Sequence, residues 1–148
     1  MKKFKFTLEA VVVVRELALN RAESAYAQAL QACRGQEAEH AAVRTNIAAL
    51  QQQVERVRAT DFCAADQQHF ILAQTHAFEA LAAQEQKLAQ LQANVQTKLN
   101  AFIQAKKAYD ALIRIKERKY QDYLKAHAKQ EERELEDIFC NRYSSAVD

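Results

Sequence analysis

Apolar residues recur along this chain in alternating steps of four and three. From Leu8 the steps land on Leu8, Val12, Arg15, Leu19, Ala22, Tyr26, Ala29, Cys33, Gln36, His40, Val43, Ile47, Leu50, Val54 and Val57. Twelve of these fifteen positions are apolar, and the register never slips. A seam of that period lies along one face of a helix and drives a left-handed coiled coil. At a rise of 1.5 Å per residue such a helix is on the order of 75 Å long. Thr7 is the expected N-cap, with Glu9 placed favourably in the first turn.

The pattern breaks at "ATDFCAADQQ", Ala59 to Gln68, where Asp61 and Asp66 are each expected to cap a helix. A second seam follows through Phe70, Gln74, Ala77, Leu81, Gln84, Leu88, Leu91, Val95, Lys98, Phe102, Ala105, Tyr109, Leu112 and Lys116, flanked by Leu99, Ile103 and Ile113. Helix one is therefore expected over about 7–58, the turn over about 59–67 and helix two over about 68–142. Antiparallel helices reversing near Cys63 pair residues whose numbers add to about 126. Leu8 then lies near residue 118, and everything beyond overhangs. The expected fold is all-α, one domain over 1–148, a long two-helix antiparallel coiled-coil hairpin with a C-terminal overhang.

Composition sharpens this picture. The 148 residues include one glycine, Gly35, and no proline. With so few turn residues the chain reverses once or twice at most. The same glycine adjoins Gln36 and His40, two polar breaks in the seam, so a bend or raised mobility is expected there. Cys33, Cys63 and Cys140 form no CxxC pair, and reduced thiols in a cytosolic protein are the expectation. The apolar run at the start ends at Val14, followed by Arg15 and Glu16, so neither a secretory signal nor a membrane span is expected.

That opening, "KFKFTLEAVVVVRE", is unusual. Phe4, Phe6, Leu8 and Ala10 alternate with Lys5, Thr7 and Glu9 as in a strand, but no other segment offers a partner strand. Read as helix, the seam uses only Val12. Val11, Val13 and Val14 point elsewhere, which calls either for local packing against Ile113 and Ile115 or for enclosure by another molecule.

Charge is balanced overall, at 21 basic and 19 acidic residues, but not locally. Arg114–Lys129 carries six basic residues and two acidic ones, and Glu131–Asp137 carries five carboxylates and Arg133. Either this is a solvated, salt-bridged helix end or it is a docking surface, where opposite charge blocks set orientation.

"FKFTLEAVVVVRE" at the start and "KERKYQDYLKAHAKQEERELEDIFCNR" at the end resemble the FliJ family of flagellar type III export proteins over essentially the whole chain. The related stalk proteins of injectisomes are close behind. The resemblance implies a non-enzymatic stalk in the cytoplasm, peripheral to the inner membrane through the export apparatus. Such a stalk inserts the terminal end of its hairpin into the hexameric export ATPase and promotes its assembly and activity. It also contacts the export-gate membrane protein and export chaperones. On that resemblance Val11, Val13, Val14, Arg15, Glu16, Lys116, Arg118 and Lys119 are the expected ring contacts. Phe70, Gln74, Ala77 and Leu81 correspond to the export-gate contact, with Gln74 standing where an apolar residue is usual. The same four residues lie on the seam and also fit simple packing against helix one.

No Gly-rich phosphate loop is present, so no nucleotide hydrolysis by this chain is expected. His69, His76 and Cys63 do not have the spacing of a closed zinc set, and neither a metal nor a cofactor is expected. Two other classes are a prefoldin-like holdase, gripping clients through apolar residues at the turn such as Phe62 and Phe70, and a helical arm that contacts tRNA or membrane. The arm needs a basic face along the hairpin, whereas the basic excess is confined to Arg114–Lys129, so no nucleic-acid partner and no membrane insertion are expected.

Overall fold

A computed structural model describes residues 3–60 and 63–144, all but the last of these with side chains. It contains two α-helices, α1 over Glu9–Ala59 and α2 over Ala64–Ser144, and no strand among the described residues. The two pack against each other as a helical hairpin. Internal contacts divide the chain into two compact units, Met1–Leu19 with Gln104–Asp148, and Asn20–Ile103.

The Asn20–Ile103 unit contains the reversal. Thr60 closes α1, its amide donating to the Val57 carbonyl at 3.2 Å and its hydroxyl reaching the Val57 and Arg56 carbonyls at 3.2 and 3.4 Å. These bonds satisfy carbonyls that have no partner further along the helix. The Cys63 carbonyl then accepts from the Asp66 and Gln67 amides at 3.1 and 3.2 Å, so α2 begins at Ala64, four residues ahead of the expected start. Asp66 consequently sits inside the first turn of α2, where its carboxylate complements the helix dipole, and not at the cap. The other expected cap, Asp61, lies outside the described residues, as does Phe62.

Across this unit the seam residues of α1 are covered, with Ala25 and Leu30 half-buried beside them. Ala29, Cys33, Gln36, Ile47 and Val54 are buried, and Val43, Leu50 and Val57 are half-buried. Tyr26 stacks on Phe102 with ring centroids 6.2 Å apart and planes 9° from parallel. Gln36 hydrogen-bonds Gln84, and His40 Nε2 lies 3.7 Å from Glu85. Paired numbers here add to between 120 and 128, around the expected 126. On α2 every seam residue from Phe70 to Phe102 is half-buried, with one change. Lys98 is exposed and Leu99 takes its place, so the seam steps Leu91, Val95, Leu99, Phe102. Reversing the order of two steps covers a leucine and keeps an ammonium group in water, which avoids the desolvation cost of a charge.

Among the described residues no large side chain is fully buried. Each helix here has one neighbour, so a seam residue is covered on one side only, and stability accrues along the length of the contact.

In the unit formed by Met1–Leu19 and Gln104–Asp148, residues 3–6 are neither helix nor strand, and α1 starts at Glu9. The expected cap at Thr7 is displaced by one residue. Leu8 supplies the first helical carbonyl, accepting from the Val11 and Val12 amides at 3.0 Å, while Phe6 O accepts from the Glu9 amide at 3.2 Å. Phe6 and Val12 are both buried here. Burying a phenylalanine is worth about 2 kcal/mol or more, against about 1 kcal/mol for a threonine cap, so burial sets the phase of the helix start. Phe4 adds edge-on contact with Tyr120, centroids 5.3 Å apart, and lies 5.5 Å from Tyr123.

Candidate partner-binding surfaces

The valine run is the first surface. Its seam member, Val12, is 6% exposed, whereas Val11, Val13 and Val14 are 40%, 50% and 63% exposed. At 100° per residue Val11 and Val14 lie about 60° apart on one face of α1, and Val13 lies on another. Local cover is incomplete: Val11 and Val14 stay exposed, and Ile115 is itself exposed while Ile113 is half-buried. Leu17, one turn beyond Val13, is also exposed and extends the outward face. The sequence reading missed it, although a search for i, i+4 apolar neighbours of the run finds it.

Polar residues frame this face. Arg15 and Glu16 are exposed on α1, and Arg15, although on the expected seam, is not covered. On α2, Arg118 and Lys119 are exposed and Lys116 is half-buried. The Lys116 ammonium donates to the Glu9 carboxylate at 2.8 Å, and Lys119 Nζ stands 5.8 Å from the centre of the Phe6 ring. Glu9 and Lys116 therefore tie the first turn of α1 to α2, while Arg118, Arg15 and Glu16 face outward. The unit thus brings the eight expected ring contacts into one compact body, Lys116 serving partly as an internal brace.

The second surface flanks the reversal. Phe70, Gln74, Ala77 and Leu81 are all half-buried on the α2 seam, facing α1, which continues to Ala59. Their apolar neighbours Ile71, Leu72 and Phe78 are about half exposed and were not singled out by sequence. In "HFILAQTHAF" the seam period takes Phe70, Gln74 and Ala77, and the two apolar residues after Phe70 were readable as off-seam.

A third stretch, from Ala128 to Tyr143, is exposed at every residue. Leu135, Ile138, Phe139 and Tyr143 are prominent there. The overhang expected beyond about residue 118 is therefore shorter, because Phe4 and Phe6 pack on Lys119, Tyr120 and Tyr123.

His69, His76 and Cys63 are exposed, and among the described residues no group of three metal-ligating side chains is assembled. All three cysteines are free, Cys33 buried and the others exposed. Among the described residues no helix is long and apolar enough to cross a membrane.

Comparison with curated proteins yields no match, and neither does comparison with solved structures. The sequence profile of one family, described as "Flagellar FliJ protein", matches residues 4–147. With nearly the whole chain covered and both helices in a hairpin, the protein belongs to the FliJ family, non-enzymatic components of the flagellar protein export apparatus.

Proposed function

We propose that this chain is the central stalk of the export ATPase, seated inside the hexameric ring and promoting its assembly and activity. One observation carries the reading: Val11 and Val14 share one face of a single helix, Val13 lies on another, and all three remain exposed. A flat docking site uses one face of a helix, whereas a surrounding collar contacts several. Arg15, Glu16, Arg118 and Lys119 supply polar contacts at the rim, where charge guides orientation and encounter more than affinity. Lys116 acts by holding α1 through Glu9.

The export gate is the proposed partner of the region around Phe70, Gln74, Ala77 and Leu81. Because those four already pack along the seam, the exposed Ile71, Leu72 and Phe78 beside them are the residues we expect a partner to cover. Export chaperones are proposed cargo of the same stalk. The chain itself stays peripheral to the inner membrane, reaching it through these partners.

The test is steady-state ATP hydrolysis and ring assembly by the purified export ATPase, with and without this chain. Stimulation is expected with the wild type and loss with Val13→Asp/Val14→Asp, whose helix content by circular dichroism is unchanged. An ATPase indifferent to the wild-type chain sinks the stalk reading. The exposed Ile71, Leu72 and Phe78 also favour a second reading, a prefoldin-like holdase that shields unfolded clients. Suppression of client aggregation, lost in Ile71→Ser/Phe78→Ser while ATPase stimulation persists, supports that activity.

A further inference from the structure

The overhang of α2 has a charge pattern that the stalk role does not explain. Leu124, Ala128, Leu135, Ile138 and Phe139 fall within about 60° of one line along the helix. All are exposed. Glu131 interrupts the stripe, and its carboxylate is drawn back toward His127 Nδ1 at 3.4 Å. Along one flank of this stripe run Lys125, Lys129, Glu132 and Glu136, spaced four, three and four. Like charges at i, i+4 repel within a helix, and both the lysine pair and the glutamate pair have that spacing. None of the four carries an ion pair among the described residues.

We infer that this segment binds a second copy of the chain, antiparallel and centred on Glu131. When two identical helices cross antiparallel, the same flank of each meets the other. Residue numbers that add to about 262 then face one another. Lys125 of one copy meets Glu136 of the other, Lys129 meets Glu132, and two-fold symmetry repeats both contacts. In the same register Leu124 covers Phe139 and Ala128 covers Leu135, while Glu131 meets its own symmetry mate at the centre, a like-charge contact that keeps the pairing weak. A parallel pairing instead sets this flank against the opposite one, which holds Tyr123, His127, Gln130 and Glu134, and forms neither of these lysine–glutamate contacts. The order of the two blocks, basic then acidic, is what makes the segment complementary to itself.

The paired segment, Leu124 to Phe139, spans 16 residues and one helix face per copy. That places the interface at or below the ~1,200 Å² end of specific contacts, so the association is weak and reversible, on the order of micromolar. It is independent of the ATPase reading, because it concerns the purified chain alone.

Sedimentation velocity of the whole chain, from about 1 to about 500 μM, measures the self-association. A monomer–dimer equilibrium that shifts toward monomer as salt rises to about 0.5 M is expected, since the ion pairs are exposed. Glu132→Lys/Glu136→Lys and Lys125→Glu/Lys129→Glu each weaken the homodimer about tenfold or more, while an equimolar mixture of the two variants recovers a heterodimer. A spin label on Cys140, with Cys33→Ala and Cys63→Ser, reports direction. The antiparallel pairing separates the two labels by 18 positions, roughly 27 Å along the axis. A chain that stays monomeric throughout, a mixture that fails to associate, or labels held side by side overturns the inference.

Discussion

Gln36 Nε2 donates a hydrogen bond to Gln84 Oε1 from one helix to the other, and Gln36 is the most deeply covered polar side chain in the seam. Buried amides are satisfied only when they meet, so this pair favours one axial alignment over its neighbours. One turn on, His40 Nε2 is buried without a hydrogen-bond partner among the described residues, 3.7 Å from Glu85. The polar break is therefore part satisfied and part not.

Replacing one glutamine is expected to hurt more than replacing both. Gln84→Leu strands the Gln36 amide and costs about 1–3 kcal/mol in denaturant-derived stability. Gln36→Leu/Gln84→Leu removes both polar groups and returns to at least wild-type stability, with looser alignment. Two labels bracketing the seam, read by a broadened distance distribution, check the second half of that statement.

Gly35 offers the simplest stabilisation. It lies within α1 with no positive φ, and a Cβ built on it meets nothing within 4 Å. Gly35→Ala is expected to raise stability by about 1 kcal/mol. Helix α1 runs through this position without interruption, between the buried Cys33 and Gln36. Raised mobility at Gly35–His40 is then a matter of local opening. Amide exchange is expected to be faster there than at Val43–Val57, and slower again in Gly35→Ala.

Thiol chemistry should divide the cysteines by burial. Cys63 and Cys140 are exposed and Cys33 is buried in the seam. With a thiol-reactive chromophore, two equivalents are expected to react at once in native conditions and the third only on unfolding. Three fast equivalents contradict the packing of Cys33.

At the start of α1 the aromatic clamp outweighs the ion pair. Glu9 and Lys116 are 2.8 Å apart but substantially exposed, at 55% and 37%, so Lys116→Ala is expected to cost under about 1 kcal/mol. Phe6 is 7% exposed, and Phe6→Ala is expected to cost about 3 kcal/mol at the local level. Hydrogen exchange at Lys116–Tyr123 distinguishes the two, accelerating markedly only for the phenylalanine variant.

Sequence alone determined which residues form the seam, because the period of covered positions is a property of the helix and needs no knowledge of the partner. Leu19, Tyr26, Cys33, Ile47 and Val54 were all readable in this way, and so was the antiparallel register near 126. The sequence also singled out Val11, Val13 and Val14, since four consecutive valines exceed what one seam can use. What tertiary contact decided was the choice between near-equivalent neighbours. Leu99 displaced Lys98, and burial of Phe6 moved the helix start past Thr7, because each outcome depends on what lies opposite. Exposure of Leu17, Ile71, Leu72 and Phe78 belongs to the same class. An apolar residue off the seam is free or covered according to the surrounding surface, and periodicity within one helix carries no information about that surface.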